Sequence, residues 1–343
     1  MNNQKLVRYD TVIIGTGLCA KFAFFGMQSL KNSKHTIKFL QVKNSLVKHP
    51  SVVLKHGGMA NFWHKGFMSP GINVLNRYGI DKETISEFDN KFCPEIDHSR
   101  PKMLISNLSK EMFIAPKEST MKVTRINGIK IINDETKIIE VENGGNKQIN
   151  CTNLIVCGSS IGNLEILNLT STVTKEIYLN DHDMQILRDD PTVSKSPVWE
   201  EDSNSIKERR PSIMSSNGLK LSSKIGLLTI PLIGRILYGF HAPRLALEAV
   251  LKKIISPKHF YLFRLETPKK PVYVYKNERI NSLSPIISAY HVIGDTPIEM
   301  KNLEAKRIFF LSGLNIGMNY KYFPSYLLAL MSYTLGKKII SNE

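Results

Sequence analysis

Gly15 and Gly17 are the residues whose type and spacing speak first of chemistry. They follow an apolar run, Val12-Ile13-Ile14, and open a segment with apolar residues at helical spacing: Leu18, Phe22, Phe25 and Leu30. Strand, tight turn and helix in that order form a seat for a diphosphate. Gly15 permits the turn, Gly17 lets the backbone approach the phosphates, and Ala20, at the third small position, lets the helix pack on the strand. The free N–H groups of the helix N-terminus then point at the anion. Two glycines alone are weak evidence. Here they follow a strand and precede a helix, and a second apolar run at 36–42 comes after, which is the context a dinucleotide site needs. The second strand of such a unit ordinarily ends in Asp or Glu to hold the adenosine ribose. Gln41 stands there instead; its amide oxygen can accept one ribose hydrogen bond, without the strength a charge adds. Lys43 would suit a 2′-phosphate, but one lysine in a lysine-rich chain does not discriminate.

The elements that must position this turn belong to a chain of 343 residues, enough for a sizeable core in one large or two joined domains. A hydrophobic content of 42% with 22% charged residues is that of a soluble globular protein. The net charge of +16 is not ordinary and points to anions: a phosphate-bearing substrate, a membrane surface or a nucleic acid. Lys and Arg are scattered singly, which speaks against specific nucleic-acid binding. Cys19, Cys93, Cys151 and Cys157 have neither metal-ligand spacing nor a paired framework, so a reducing cytoplasm and no metal are expected. The nucleotide strand lies near Met1, so no signal peptide is expected ahead of it.

Beyond the second strand, residues 55–66 hold Gly57, Gly58, His56, His64 and Trp63, a glycine loop rather than a core helix. Residues 76–118 are polar and broken by Pro94, Pro101 and Pro116. Short alternating strands at 122–126, 129–133 and 137–142 read as a meander, and 153–157 is again a buried strand running into the small-residue turn Gly158-Ser159-Ser160. The stretch 186–221 is a polar, poor core and reads as loop. The apolar stretches 224–240 and 244–255 are too short and interrupted to span a bilayer. They are either a core helix pair or an interfacial surface with Lys224, Arg235, Lys252 and Lys253 near anionic headgroups. Strands follow at 261–265 and 272–275, then a strand and glycine turn at 306–313 and a terminal helix from 323.

Read together, these segments resemble the glucose–methanol–choline oxidoreductase family, most closely its pyranose oxidase-like branch. The loop Gly57-Gly58-Met59-Ala60-Asn61-Phe62-Trp63 is similar to the family's glycine loop over the flavin pyrophosphate. Gly158-Ser159-Ser160-Ile161-Gly162 resembles its second flavin segment, and Leu179-Asn180-Asp181-His182 its Asn-Leu-x-Asp-His motif. His291-Val292-Ile293-Gly294-Asp295 resembles its His-x-x-Gly-Thr segment, and Ser312-Gly313 with Phe323-Pro324 its last flavin-contacting stretch. The resemblance implies an α/β protein with an FAD-binding doubly wound nucleotide fold and a reduced α+β substrate domain. The FAD-binding domain would comprise 1–75, 120–185 and 286–343, and the substrate or cap domain 76–119 and 186–285. FAD would contact Gly15, Gly17, Leu18, Ala20, Gln41, Gly57, Gly58, Ala60, Asn61, Val123 (through its backbone), Gly158, Gly313 and Pro324. Phe62 stands where some members attach the flavin to a histidine, so the FAD would be non-covalent. Asp181 and His182 would play a structural part near it.

By the same resemblance His291 faces the flavin and takes the hydroxyl proton of an alcohol while hydride leaves for N5. An imidazole suits this task because its ordinary pKa, about 6.5, lies near working pH. The family places Asn or His where this chain has Phe323, and a phenyl ring neither donates nor accepts. Asn319, Tyr320, Tyr322 and Ser325 are near enough in sequence to substitute. The expected activity is oxidation of a sugar or glycoconjugate hydroxyl, on a small-molecule or lipid-linked substrate, with no nucleic acid and a peripheral contact with anionic membrane through 224–255. Gln41 and Phe323 leave open a flavin fold with a degraded site that serves as a partner or scaffold protein.

Overall fold

The apolar run that precedes the glycine turn is the end of the central strand of a seven-stranded sheet. The computed structural model describes residues 7–30, 34–47, 49, 51–61, 66–99, 103–105, 108–170, 176–187, 199–200, 212–215, 262–266, 268–284, 291–320, 322 and 324–341. From the N-terminus, β1 (Val7–Ile14) turns into α1 (Leu18–Ser29) and returns as β2 (Ile37–Val42). A turn of 3-10 helix (Gly58–Asn61), β3 (Gly66–Met68), α2 (Ile72–Asn76), α3 (Lys82–Phe92) and β4 (Met103–Ile105) follow. Next come β5 (Thr120–Val123), β6 (Arg125–Asn133), β7 (Thr136–Glu142) and the long β8 (Asn146–Val156), which leads into α4 (Ser159–Asn168). Eight short strands come next: β9 (Ile177–Asn180), β10 (Asp183–Leu187), β11 (Trp199–Glu200), β12 (Ser212–Ser215), β13 (Leu262–Glu266), β14 (Tyr273–Lys276), β15 (Arg279–Ser282) and β16 (Ile293–Gly294). The chain closes with α5 (Ile298–Glu304), β17 (Ile308–Phe310) and α6 (Pro324–Ser341).

The main sheet runs β5-β2-β1-β8-β7-β6, with β17 also on β8. β5, β2, β1, β8 and β17 are parallel, so their C-terminal ends lie along one edge. β8 is a forked strand. Its first half, 146–151, pairs antiparallel with β7, and its last residues, 154–156, pair with β17. Because β1 has β2 on one side and β8 on the other, the winding reverses there, and the crevice beyond such a reversal is where open α/β sheets bind ligands. Side chains alternate between the two faces. Val12, Ile14, Leu154 and Val156 enter one core with α4 and the meander, while Ile13 and Ile155 enter another with α1 and α6. Both faces are covered, as a doubly wound sheet requires.

A third core is aromatic. Phe22 of α1 lies among Phe25, Phe67, Phe88, Phe92 and Phe113, with ring centroids 4.9–6.1 Å away, and Tyr326 and Tyr333 of α6 join the same cluster. α3 begins at Asp81, whose carboxylate accepts from the Thr84 N–H, an N-cap bond that fixes the helix start. It is then held to α6 by Tyr326 Oη donating to Asp89 (2.7 Å) and by Tyr333 and Lys337 donating to Glu87.

Two sequence expectations change. The strand expected at 122–126 is two: Val123 ends β5 beside β2, and β6 starts at Arg125. Lys43 and Asn44 donate to the carbonyls of Val123 and Thr124, so the end of β2 draws this stretch into the parallel sheet rather than the meander. The stretch 186–221, expected as loop, contains the end of β10 with all of β11 and β12. Their order in the sheet is β10-β13-β12-β11. Pairing with a distant strand satisfies backbone groups whatever the side-chain polarity, so composition does not reveal it. The stretch 224–255 lies outside the described residues. Among the described residues no helix is long and apolar enough to cross a membrane.

Candidate active site

At Gly15 the backbone has φ +113°, and a Cβ there would lie 2.5 Å from the Cys157 carbonyl oxygen. Only glycine fits, because both the conformation and the contact exclude a side chain. The contact also joins the two turns that leave β1 and β8, and Cys157 N–H donates to Ile14 O across the same seam (2.7 Å). Gly17 is the N-cap of α1, Leu18 its first residue and Ala20 is fully buried against the sheet. No side chain caps α1 and its first turn has no acidic residue, which leaves the positive end of the helix for an anion.

The glycine loop is seated on this turn. Thr16 Oγ1 accepts from Gly57 N–H (2.9 Å) and the Thr16 carbonyl accepts from Ala115 N–H (3.1 Å). His56 Nε2 donates to the Ala115 carbonyl at 2.9 Å, tying the loop to the same strap. Gly57 has φ +88° and a Cβ on it would meet Ile114 at 2.8 Å. Its own carbonyl oxygen comes within 3.2 Å of where a Gly17 side chain would begin. Gly58 has φ +51°, Ala60 is buried, and Asn61 Nδ2 donates to the His56 and Gly58 carbonyls, bracing the loop from within. Phe62, Trp63 and His64 lie outside the described residues. Thr16 and Ala115 were missed by sequence reasoning, since neither carries a motif.

At the end of β2, Gln41 Nε2 donates to the Leu54 carbonyl (2.9 Å), which fixes the carboxamide plane. Its Oε1 is buried and has no hydrogen-bond partner. A buried acceptor left open carries a penalty of about 1–3 kcal/mol, which a hydroxyl donor would remove. Beside it Val123 is fully buried and its carbonyl accepts from Lys43 N–H.

The second turn carries the histidines. Gly158, the N-cap of α4, donates its N–H to Asn163 Oδ1 (2.7 Å), while the Asn163 Nδ2 is buried without a partner. Ser160 Oγ donates to the Val292 carbonyl (2.5 Å), and Gly313 packs on the same carbonyl so closely that no Cβ fits. Residues 158–160, 292 and 313 are thus one junction. β16 pairs antiparallel with β9, Ile293 opposite Asn180 and Gly294 opposite Leu179. Continued by two residues, that register sets His291 opposite His182, and their rings meet edge to face with centroids 5.5 Å apart. The Asp181 carboxylate, fully buried, accepts from the N–H of His182 (2.7 Å) and the N–H of His291 (2.9 Å). Burial pushes His182 down to about 4, against the opposing pull of the Tyr320 backbone. It therefore stays a neutral imidazole at working pH.

Among the residues suggested as substitutes at position 323, Tyr320 and Ser325 are buried, Tyr322 is half-buried and Asn319 is exposed. Phe323 itself lies outside the described residues, and Pro324 is the first residue of α6. The structure thus brings Gly15, Gly17, Leu18, Gly57, Gly58, Gly158, Gly313 and His291 into contact through shared neighbours. Pro324 is linked to them more remotely, through the apolar cluster that holds both Ile293 and Tyr326. The described cysteines are free, and burial raises Cys19 to about 11 and Cys157 well above its ordinary value. Both are thus inert thiols in the wall of the turn. Among the described residues no group of three or more His, Cys, Asp or Glu is placed to hold a metal ion.

No protein-family model matches the sequence, and no curated protein matches it. Solved structures do match. Pyridoxine 4-oxidase from Mesorbium loti superposes with a TM-score of 0.58 at 10% identity, over 96% of this chain and 99% of that one. A variant of formate oxidase from Aspergillus oryzae, studied for its FAD modification, superposes with a TM-score of 0.57 at 8% identity, over 98% and 99%. The protein therefore has the FAD-binding α/β fold on which these two oxidases are built.

Proposed function

We propose that the protein is an FAD-dependent oxidoreductase of the glucose–methanol–choline type, acting on a C–OH group of a sugar or glycoconjugate. The observation that carries the proposal is the linkage of the glycine turn to the neighbour of His291: Gly15 packs on Cys157, and in the turn that follows Cys157, Ser160 with Gly313 packs on Val292. The residues also fit the cofactor. The uncapped N-terminus of α1 suits its diphosphate, and the open Gln41 Oε1 suits a ribose hydroxyl.

When bound, FAD supplies N5 as the acceptor of the hydride that leaves the substrate carbon. His291 takes the hydroxyl proton, so that the alcohol becomes a carbonyl and the electron pair and proton part in opposite directions. The Asp181 carboxylate holds the His291 backbone, and the Thr16 hydroxyl seats the glycine loop on the turn that would take the diphosphate. The FAD is non-covalent, held by backbone amides rather than by a histidine link. The net charge of +16 favours phosphorylated or lipid-linked saccharides, and a cytoplasmic protein with a peripheral membrane contact through 224–255 fits that substrate.

The visible spectrum of purified protein tests the cofactor, and anaerobic reduction by a panel of sugars, nucleotide sugars, lipid-linked sugars and pyridoxine tests the substrate. A yellow protein that releases all its flavin on acid precipitation, and is bleached by one of these alcohols, is the expected result. His291→Ala should slow bleaching by about 10²–10⁴-fold. Protein that stays colourless with excess FAD overturns the assignment.

A further inference from the structure

We infer that His182 is the positioning residue for His291: its buried ring, delivered opposite His291 by the β9–β16 register, fixes the orientation in which the proposed base meets substrate. The inference deepens the reading given above and rests on it for the identity of the base. Four observations converge on it. The register is set by the backbone pairs Ile293–Asn180 and Gly294–Leu179. One carboxylate, that of Asp181, binds the N–H groups of both histidines and so locks the two backbones to each other. The rings stand at 80° with centroids 5.5 Å apart, an edge-to-face arrangement of the kind aromatic pairs prefer. Finally, His182 is itself 1% exposed, so its ring cannot swing away, whereas His291 is half-buried.

The chain makes this arrangement where two sheets are joined without a loop. β9 belongs to the sheet with β14, β15 and β16, and β10 to the sheet with β11, β12 and β13; only Asp181 and His182 lie between them. Asn180, the last residue of β9, is fixed as well, its Nδ2 donating to the Pro268 and Met318 carbonyls (2.8 and 3.2 Å). The seam is thus tied on the β9 flank by Asn180 and continues on the other into the pairing of Asp183 with Glu266, and anchoring of this kind is what a group needs if it is to hold another in place.

The test compares His182→Ala with His182→Phe, which keeps a flat ring edge but no nitrogen. In protein labelled with ¹³C at the histidine Cε1, the His291 signal, assigned by its loss in His291→Ala, should move in His182→Ala and stay near its original position in His182→Phe. This reading needs no substrate and is made with and without FAD. In stopped-flow reduction, His182→Ala should lose about a hundredfold in the rate of bleaching, the size of effect that misplacing a reacting group produces. Substrate affinity and flavin content should stay unchanged, and His182→Phe should recover most of the loss. An unmoved His291 signal in His182→Ala overturns the inference. So does a loss of rate that follows flavin content in both variants, which is the mark of a merely structural role. Should the unaltered protein be bleached by no alcohol while the His291 signal moves as described, the oxidoreductase reading fails and the positioning of His291 stands.

Discussion

Gly26 of α1 and Gly336 of α6 meet at a single helix crossing, each so close to the other helix that a Cβ on Gly26 would fall on the Tyr333 carbonyl and one on Gly336 on the Ala23 carbonyl. The helix that begins at the Gly15–Gly17 turn is therefore packed directly, backbone to backbone, against α6.

Gly26→Ala and Gly336→Ala should each destabilise the protein by about 3 kcal/mol or more, since the obstacle is backbone rather than a movable side chain. Urea denaturation followed by circular dichroism measures this. A midpoint unchanged in both variants would mean that the helices stand further apart than described.

Gln41→Glu should weaken FAD binding: although a carboxylate accepts more strongly than a carboxamide, one of its oxygens would face the Leu54 carbonyl to which Gln41 Nε2 now donates. Gln41→Leu should weaken it by about 1–2 kcal/mol, or roughly tenfold in Kd. Quenching of flavin fluorescence on titrating apoprotein reads both. Equal affinity in all three proteins would place the ribose elsewhere.

Acid should unfold the protein through two histidines. Burial lowers both His49 and His182 from 6.5 to about 4. Between those values the unfolded chain binds more protons than the folded one, so stability rises with pH there and falls on acidification. Each should account for about 2 kcal/mol lost by pH 5 relative to pH 7.5. Urea midpoints across that range test the slope, and His182→Phe should flatten it by about half.

Tyr326→Phe should cost about 2 kcal/mol, for it removes a donor from the half-enclosed Asp89 carboxylate, which keeps only His98 Nε2 at 2.6 Å and the weak Cys93 thiol. Tyr333→Phe should cost less, because its partner Glu87 is more open to water and retains Lys337. Thermal melts of the two variants side by side decide the order.

The sequence carried the first turn in full: Val12 to Ala20 is local, and glycine, small residue and apolar run each state their own conformational need. The strand and glycine turn expected at 306–313, found as β17 (Ile308–Phe310), and the terminal helix expected from 323, described from Pro324, were legible for the same reason. What was not legible is what depends on pairing at a distance. Val123 joins β5 because β2 is beside it, and β12 is held by β13 far along the chain, with β11 held in turn by β12. The meeting of His182 and His291 follows from a register between strands whose partners no local pattern names. Gln41 was noticed as a departure from pattern, but its unmet oxygen became visible only once Leu54 was seen to occupy its other end.

The forked strand β8 has a temporal consequence. Its last residues wait for β17, and α1 waits for α6, so β8 and α1 gain their final neighbours long after they themselves have left the ribosome. Long-range closure of this kind is slow, and the half-built sheet presents an open edge meanwhile. A chain that stops before β17 and α6 should accordingly leave both β8 and α1 unpartnered.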